Sequence, residues 1–268
     1  MDINLQELIK PCVALSKKAG LKALEFYKSN MDLGIETKSD ATPVTNADMA
    51  AHNVIVEGLK KLTPDIPILS EEAANIPYEE RRQWNFYWLI DPVDGTKEFI
   101  NQTEEFTVNI ALIENGRSVL GVIYAPVLKD CYFAYKNNGA FKQHSDQIPV
   151  KISSRKLDPD NLCAMVSRRH SVRQAVTFLD KIPSHTKIPK GSSLKSCIIA
   201  EGLADAYPCF GKTSEWDMGA AQCIIEEAGG MMVDLKFQPI VFNQKESLLN
   251  PPLLVVGDKD YNWGQYFV

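Results

Sequence analysis

Two aspartates, Asp91 and Asp94, sit three positions apart in the stretch Asp91-Pro92-Val93-Asp94-Gly95-Thr96-Lys97-Glu98-Phe99. Carboxylates at that spacing on a stiff bend suit a hard divalent cation. Mg²⁺ takes oxygen ligands in near-octahedral geometry and keeps waters that a substrate can displace. Pro92 blocks a simple helical continuation, and Gly95 permits a tight turn. Thr96 and Glu98 then open a short helix whose unpaired N–H groups could receive a phosphate. Further carboxylates fall at the ends of predicted elements: Asp48, Glu71 and Asp217. No histidine or cysteine arrangement competes with them. The chain carries no His-Glu-x-x-His, no zinc-type spacing, no Gly-x-Ser-x-Gly and no Gly-x-x-x-x-Gly-Lys loop. Taken singly, each acid also has an ordinary explanation. Asp91 to Gly95 reads equally as a surface turn after a core strand, Asp48 as a carboxylate favoured by a helix dipole, and Glu71-Glu72 as a charged strand terminus.

The elements that must position these residues follow from periodicity. Tyr87-Trp88-Leu89-Ile90 is a buried strand delivering Asp91. Leu5, Leu8, Ile9, Cys12 and Leu15 predict an amphipathic helix over about residues 3–28, followed by a polar loop around Lys38 to Pro43. A second helix begins near Asp48 with Ala51, Val54, Ile55, Gly58, Leu59 and Leu62 on one face, and Thr63-Pro64 stops it. Ile66, Ile68 and Leu69 form a short strand ending at Glu71. Phe106 to Leu112 alternates as a strand, Asn115-Gly116 is a hairpin turn, and Val119 to Tyr124 and Cys131 to Tyr135 continue the meander past Asn138-Gly139. The sheet is therefore largely antiparallel with helices outside the run of strands, which favours a layered α+β fold over a doubly wound one.

The polar segment 145–161 marks a boundary, giving an N-terminal α+β domain over 1–155 and a C-terminal α/β domain over 156–268. In the second, Cys163 to Val166 is a short strand, Val172 to Ile182 a helix, and Ser192 or Ser193 caps another helix ending near Gly202. Trp216-Asp217 begins a further helix closed by Gly229-Gly230, and short strands follow at Met231 to Leu235 and Leu253 to Val256.

Composition narrows the class. The chain has 268 residues, 45% hydrophobic and 24% charged, with a formal net charge of −5. That is a globular composition with no whole-molecule attraction to nucleic acid or anionic membrane. There is no signal-peptide pattern and no apolar run long enough to span a membrane. The 6 cysteines, at positions 12, 131, 163, 197, 209 and 223, are scattered without Cys-x-x-Cys pairs, which predicts reduced thiols and a cytoplasmic enzyme. Haloacid-dehalogenase-like phosphatases attack phosphate with the first residue of Asp-x-Asp. The Asp-x-x-Asp spacing here, interrupted by proline and deep in the chain, argues against a phospho-aspartate.

Asp91-Pro92-Val93-Asp94-Gly95-Thr96, with Glu71-Glu72 upstream and Trp216-Asp217 downstream, resembles the inositol monophosphatase superfamily of Mg²⁺-dependent, lithium-sensitive phosphatases. The resemblance runs from Asp48 to Asn250. Lys97-Glu98-Phe99-Ile100, Phe106-Thr107-Val108-Asn109, Gly191-Ser192-Ser193-Leu194-Lys195 and Glu246-Ser247-Leu248-Leu249-Asn250-Pro251 are similar to its bacterial 3'(2'),5'-bisphosphate nucleotidase branch, which serves sulfur metabolism. The resemblance implies an αβαβα sandwich and two or more Mg²⁺ ions held by Glu71, Asp91, Asp94, Asp217 and the Val93 carbonyl. It implies that Gly95 and Thr96 contact the phosphate, and that Thr96 with Asp48 positions the attacking water. His170, Ser192 and Lys195 match positions that meet the rest of the nucleotide.

The implied activity is hydrolysis of the 3'-phosphate of adenosine 3',5'-bisphosphate to AMP, with 3'-phosphoadenylyl sulfate as a further substrate. The same metal machinery acting on inositol or sugar phosphates is one alternative, and a non-catalytic nucleotide sensor another. A peripheral inner-membrane location is compatible with the resemblance, and oligomeric state is open. Two departures stand out. The branch usually has Tyr-Pro-Arg where this chain has Tyr207-Pro208-Cys209, and Gly219-Ala220-Ala221 interchanges the small residues of the usual Ala-Ala-Gly. Lys212 is the candidate to replace the missing arginine.

Overall fold

A computed structural model describes residues 3–27, 36–37, 43–168 and 173–267. In chain order the elements are α1 (Leu5–Tyr27), β1 (Glu36–Thr37), β2 (Pro43–Val44), α2 (Asn46–Leu62), β3 (Ile68–Ser70), a 3₁₀ turn (Glu71–Ala73), α3 (Tyr78–Arg81), β4 (Phe86–Asp94) and α4 (Thr96–Ile100). A meander follows: β5 (Thr107–Glu114), β6 (Arg117–Ala125), β7 (Asp130–Tyr135), β8 (Ala140–His144) and β9 (Val150–Ile152). The rest comprises β10 (Leu162–Ser167), α5 (Arg173–Asp180), β11 (His185–Lys190), α6 (Leu194–Ala200), β12 (Ala206–Cys209), α7 (Glu215–Glu227), β13 (Met231–Asp234) and β14 (Leu253–Val256).

Strands β3 to β9 form a 7-stranded sheet in sequence order, and a 5-stranded sheet runs β11-β10-β12-β14-β13. The first sheet is antiparallel except where β3 pairs parallel with β4. The second is mixed, with β10 parallel to β11 and β12 but β14 antiparallel to its neighbours. Pro43, expected in a loop, lies in β2 and pairs with Thr37 of β1.

Three apolar layers hold these elements. Leu8, Cys12 and Ala19 of α1 and Ala51, Ile55 and Leu59 of α2 pack on one face of the large sheet. The other face meets α6 and α7, which also cover the smaller sheet, and α5 lies on that sheet's far side with Phe178 and Trp263. The layering is αβαβα. Strand β4 shows how the sequence does this. Trp88 and Ile90 face the α1–α2 layer while Tyr87 and Leu89 face the α6–α7 layer. A strand covered on both sides reads as a continuous apolar run.

Helix α7 approaches β6 very closely. A Cβ on Gly121 would lie 2.3 Å from the Ala220 carbonyl oxygen, so only glycine fits beneath the helix there. The small residues Gly219, Ala220 and Ala221 belong to this close face, and a Cβ on Gly219 would meet Leu89 Cδ2 at 2.8 Å. The described cysteines are all buried and free, and among the described residues no helix is long and apolar enough to cross a membrane.

Candidate active site

Asp91 and Asp94 both belong to β4, where a regular strand would point residues three apart to opposite faces. The pairing of β4 with β5 shifts register between Asp91 and Asp94, and that bulge re-aims the second carboxylate. Asp217 enters from the first turn of α7. One carboxylate oxygen from each of Asp91, Asp94 and Asp217 lies within 4.8 Å of the others. Glu71 arrives by register: β3 runs parallel to β4 with Ser70 beside Ile90, which places the next residue, Glu71, beside Asp91. Glu71 lines the same cavity but stands outside the tight group of three. Gly95 follows at φ +90°, a left-handed conformation that disfavours a side chain, and a Cβ there would meet Glu105 O at 3.2 Å and Ser192 Cβ at 3.3 Å.

The protein engages one oxygen of each clustered aspartate. Asp91 Oδ1 accepts from Val93 N at 3.0 Å, and Asp217 Oδ2 accepts from Ser214 N at 2.8 Å. Asp94 Oδ2 accepts from Ser193 N at 2.6 Å and Ser193 Oγ at 2.7 Å, with Asn109 Nδ2 and Thr107 Oγ1 farther off. The second oxygen of each has no partner among the described residues. Burial pushes the Asp91 carboxyl well above the ordinary range, and the charges of Glu71, Asp94 and Asp217 push it further. Asp217 is raised by burial and then by Asp94 and Glu71. No described lysine or arginine is ion-paired with the three. Crowded, desolvated carboxylates with open oxygens and no basic partner fit a hard divalent cation, and the orientation of each by a protein donor is what such a site needs.

Asp48 lies beside the cluster and is 1% exposed. Its Oδ2 accepts Thr45 N at 2.8 Å and Thr45 Oγ1 at 2.6 Å, while Oδ1 faces Thr96 Oγ1 at 3.4 Å. The Thr96 hydroxyl is also 3.3 Å from the Val93 carbonyl. Burial pushes the Asp48 carboxyl up to about 6, against the two Thr45 hydrogen bonds that pull it down.

A cavity of about 630 Å³ is lined by Glu71, Asp91, Val93, Asp94, Gly95, Thr96 and Asp217 among others. Lys97, Lys187, Lys195 and Lys212 line it as well, and none is ion-paired with a described residue. Lys195 is nearly enclosed; its Nζ donates to Ser192 O at 2.6 Å and sits 5.1 Å from the Tyr207 ring centroid. Burial holds its pKa below the ordinary lysine value, opposed by Asp94. Ser192 is on the same wall. Cys209 is buried there with Sγ 3.9 Å from Thr213 Oγ1. His170 lies outside the described residues.

Two residues at the site escaped sequence reasoning. Ser193 reads as a helix cap, yet its side chain makes no cap bond; its backbone N donates to Asp94 and its hydroxyl lies 2.7 Å from Asp94 Oδ2 and 2.8 Å from Asp217 O, its one proton shared between them, tying α6 to both. Glu105 gathers Arg168 Nη2 at 2.7 Å, Lys190 Nζ at 3.2 Å and Gly191 N at 2.8 Å, fixing the turn that carries Ser192 and Ser193. Arg168 is thereby held in an ion pair with Glu105. The Phe106-Thr107 motif just beyond Glu105 was the only nearby signal.

Comparison with known proteins places this geometry. The Inositol monophosphatase family profile matches residues 4–259. The chain is 42% identical over 244 residues to the 3'(2'),5'-bisphosphate nucleotidase CysQ of Salmonella typhimurium, covering 91% of this chain and 97% of that one. It is 37% identical over 264 residues to the protein of the same name from Haemophilus influenzae, covering 98% and 97%. The crystal structure of CysQ from Bacteroides thetaiotaomicron, described as a bacterial member of the inositol monophosphatase family, superposes with a TM-score of 0.85 at 35% identity, covering 97% of this chain and 100% of that one. A near-full-length match in sequence and in fold has one reading: the chain belongs to the inositol monophosphatase family.

Proposed function

We propose that this protein is a Mg²⁺-dependent 3'(2'),5'-bisphosphate nucleotidase that hydrolyses the 3'-phosphate of adenosine 3',5'-bisphosphate to AMP and phosphate. The relatives that match over nearly their whole length carry the name of that activity. The observation that carries the reading from this chain is the mixed lining of its cavity: a cluster of acids together with four lysines that are in no ion pair among the described residues. Such a cavity accepts a ligand with one anionic group at the acids and a second away from them.

Glu71, Asp91, Asp94, Asp217 and the Val93 carbonyl are assigned to hold the divalent cations. When bound, those ions neutralise phosphate charge and acidify a coordinated water. Gly95 and Thr96 present the turn against the transferred phosphate. Thr96 orients the attacking water and Asp48, whose Oδ1 faces the Thr96 hydroxyl, accepts its proton. Water attack forms the new P–O bond as the bond to the ribose 3'-oxygen breaks, and that oxygen takes up a proton. No covalent enzyme intermediate is required. Ser192 and Lys195, with His170, are assigned to the part of the nucleotide remote from the acids. Lys212 lines the same cavity three residues after Cys209 and offers a cation where the Tyr-Pro-Arg pattern would put an arginine.

A phosphate-release panel tests the reading. Adenosine 3',5'-bisphosphate should be hydrolysed in preference to inositol 1-phosphate and fructose 1,6-bisphosphate, and activity should vanish on chelation and return with Mg²⁺. Preference for inositol 1-phosphate would reassign the enzyme within its family, and turnover that survives thorough chelation would refute the metal mechanism.

A further inference from the structure

A cluster of buried polar groups lies behind the acids, outside the cavity. Arg81, at the end of α3 and ten residues after Glu71 in the sequence, is 2% exposed. Its Nη1 donates to Asn243 Oδ1 at 2.5 Å, and its Nη2 donates to the carbonyls of Lys245, at 3.1 Å, and Glu246. Asn243 returns the contact through Nδ2 to Arg81 O at 2.6 Å. The Asn243 backbone N–H then donates to Glu215 Oε2 at 2.8 Å, and Glu215 is 1% exposed. Lys245 Nζ stands 3.6 Å from the other side of that carboxylate.

The same loop is stitched to the start of α7 by its backbone. Glu215 N donates to Leu248 O at 2.9 Å and Asn250 N to Thr213 O at 2.8 Å, while Asn250 Nδ2 reaches Ser214 O at 2.6 Å. Residues 243–250 therefore bridge the segment downstream of Glu71 to the turn that carries Asp217. The body of α7 needs no such help, because the Gly121–Ala220 contact seats it on β6. That contact lies beyond Asp217. The first turn of the helix is held by this loop on one side and by Ser193 on the other.

We propose that the Arg81–Asn243–Glu215 chain is a positioning device for Asp217. It holds the first turn of α7 at the separation from Asp91 and Asp94 that a shared divalent cation requires, and so sets cation affinity without touching cation or substrate. The inference rests on the metal-dependent reading above. Arginine is needed because its planar fork grips two carbonyls and an amide at once, which a lysine ammonium cannot reproduce.

The test measures Mg²⁺ binding to the whole protein by calorimetry, and the Mg²⁺-induced rise in Tm, alongside KM for adenosine 3',5'-bisphosphate at saturating Mg²⁺. Arg81→Lys and Glu215→Ala should each weaken Mg²⁺ binding by roughly tenfold or more, the loss typical when groups supporting metal ligands are removed. KM should stay within about twofold. Glu215→Gln keeps an acceptor for Asn243 N and should retain most of the affinity. If Glu215→Gln loses as much as Glu215→Ala, the carboxylate acts through its charge and the positioning role is overturned. Lower Tm with unchanged Mg²⁺ affinity would also overturn it, leaving a purely structural cluster. Variants are compared only where circular dichroism matches the parent, and Asn243→Ser, which keeps the backbone N–H to Glu215, replaces any that does not fold. A parent that binds Mg²⁺ but releases no phosphate would refute the proposed function and leave this inference testable.

Discussion

Helices α2 and α7 both start at the site with an aspartate three residues after a hydroxyl-bearing cap, and they put it to opposite uses. At α2 both oxygens of the Asp48 carboxylate meet the protein, Oδ2 through Thr45 and Oδ1 through Thr96 at 3.4 Å. At α7 Asp217 commits only Oδ2, to Ser214 N, and one of its oxygens lies within 4.8 Å of an oxygen of Asp91 and of Asp94. The capping motif is local and identical in spacing; what differs is the company. Asp48 faces a hydroxyl, and its Oδ1 keeps a lone pair for the proton of a water that Thr96 holds. Asp217 faces other carboxylates, so its remaining oxygen is repelled unless a cation intervenes.

The strongest way to break the comparison is to neutralise both aspartates. Asp217→Asn should lower kcat/KM by roughly 10²–10³-fold, as for loss of one preorganised electrostatic group, and abolish the Mg²⁺-induced rise in Tm. Asp48→Asn should lower kcat while the Mg²⁺ response of Tm survives. If both lose that response alike, the division of labour is wrong. Next in size, Thr96→Ala should lower kcat by about tenfold or more with KM held within about threefold. An effect confined to KM would make Thr96 a phosphate contact rather than support for the water.

Acidity sharpens the contrast without touching turnover. The Asp48 carboxyl, at about 6 in the folded chain, lies above the ordinary value of about 3.9. The folded state thus holds the proton more tightly. The resulting stabilisation is complete below about pH 4 and is lost as pH rises past about 6. In EDTA, Asp48→Asn should therefore be more stable than wild type at pH 8, by at most about 3 kcal/mol, and draw level with it only below about pH 4. A constant difference across that range would show that burial does not set this group's charge. The smallest effects belong to the caps. Ser214→Ala leaves the backbone N–H to Asp217 in place and should cost about 1 kcal/mol in stability with activity unchanged. Thr45→Ala should cost a similar amount but also lower kcat, since the lost hydroxyl holds Asp48.

The acids were legible because each is announced locally. Asp91 ends an apolar run, Glu71 ends a short strand, and Asp48 and Asp217 open amphipathic helices. The layered fold was legible for the same reason, through the alternation in β5 and the Asn115-Gly116 turn. What could not be read is whatever depends on pairing across the chain. Ser193 looks like a helix cap because its true partner, Asp94, is 99 residues away. Arg81 and Asn243 meet across 162 residues, and nothing near either announces the other. Strands β11 and β12 hid behind Pro189 and Pro208, which argue against strand locally. Pro208 is tolerated because pairing with β10 is confined to Ala164 and Ala206. Strand β9, only 3 residues long, fell inside the polar stretch read as a domain boundary.

The seating of α7 has a consequence for how the chain is made. The face of the large sheet carrying Leu89, Ala111, Ile113 and Ile123 is covered by residues up to Glu227, although its last strand ends at Ile152. On a ribosome adding roughly 5–20 residues per second, that apolar face waits about 4–15 s for its cover. Through that interval the nascent sheet is a hydrophobic surface without its helix, and a chaperone that recognises such surfaces would engage it before α7 does.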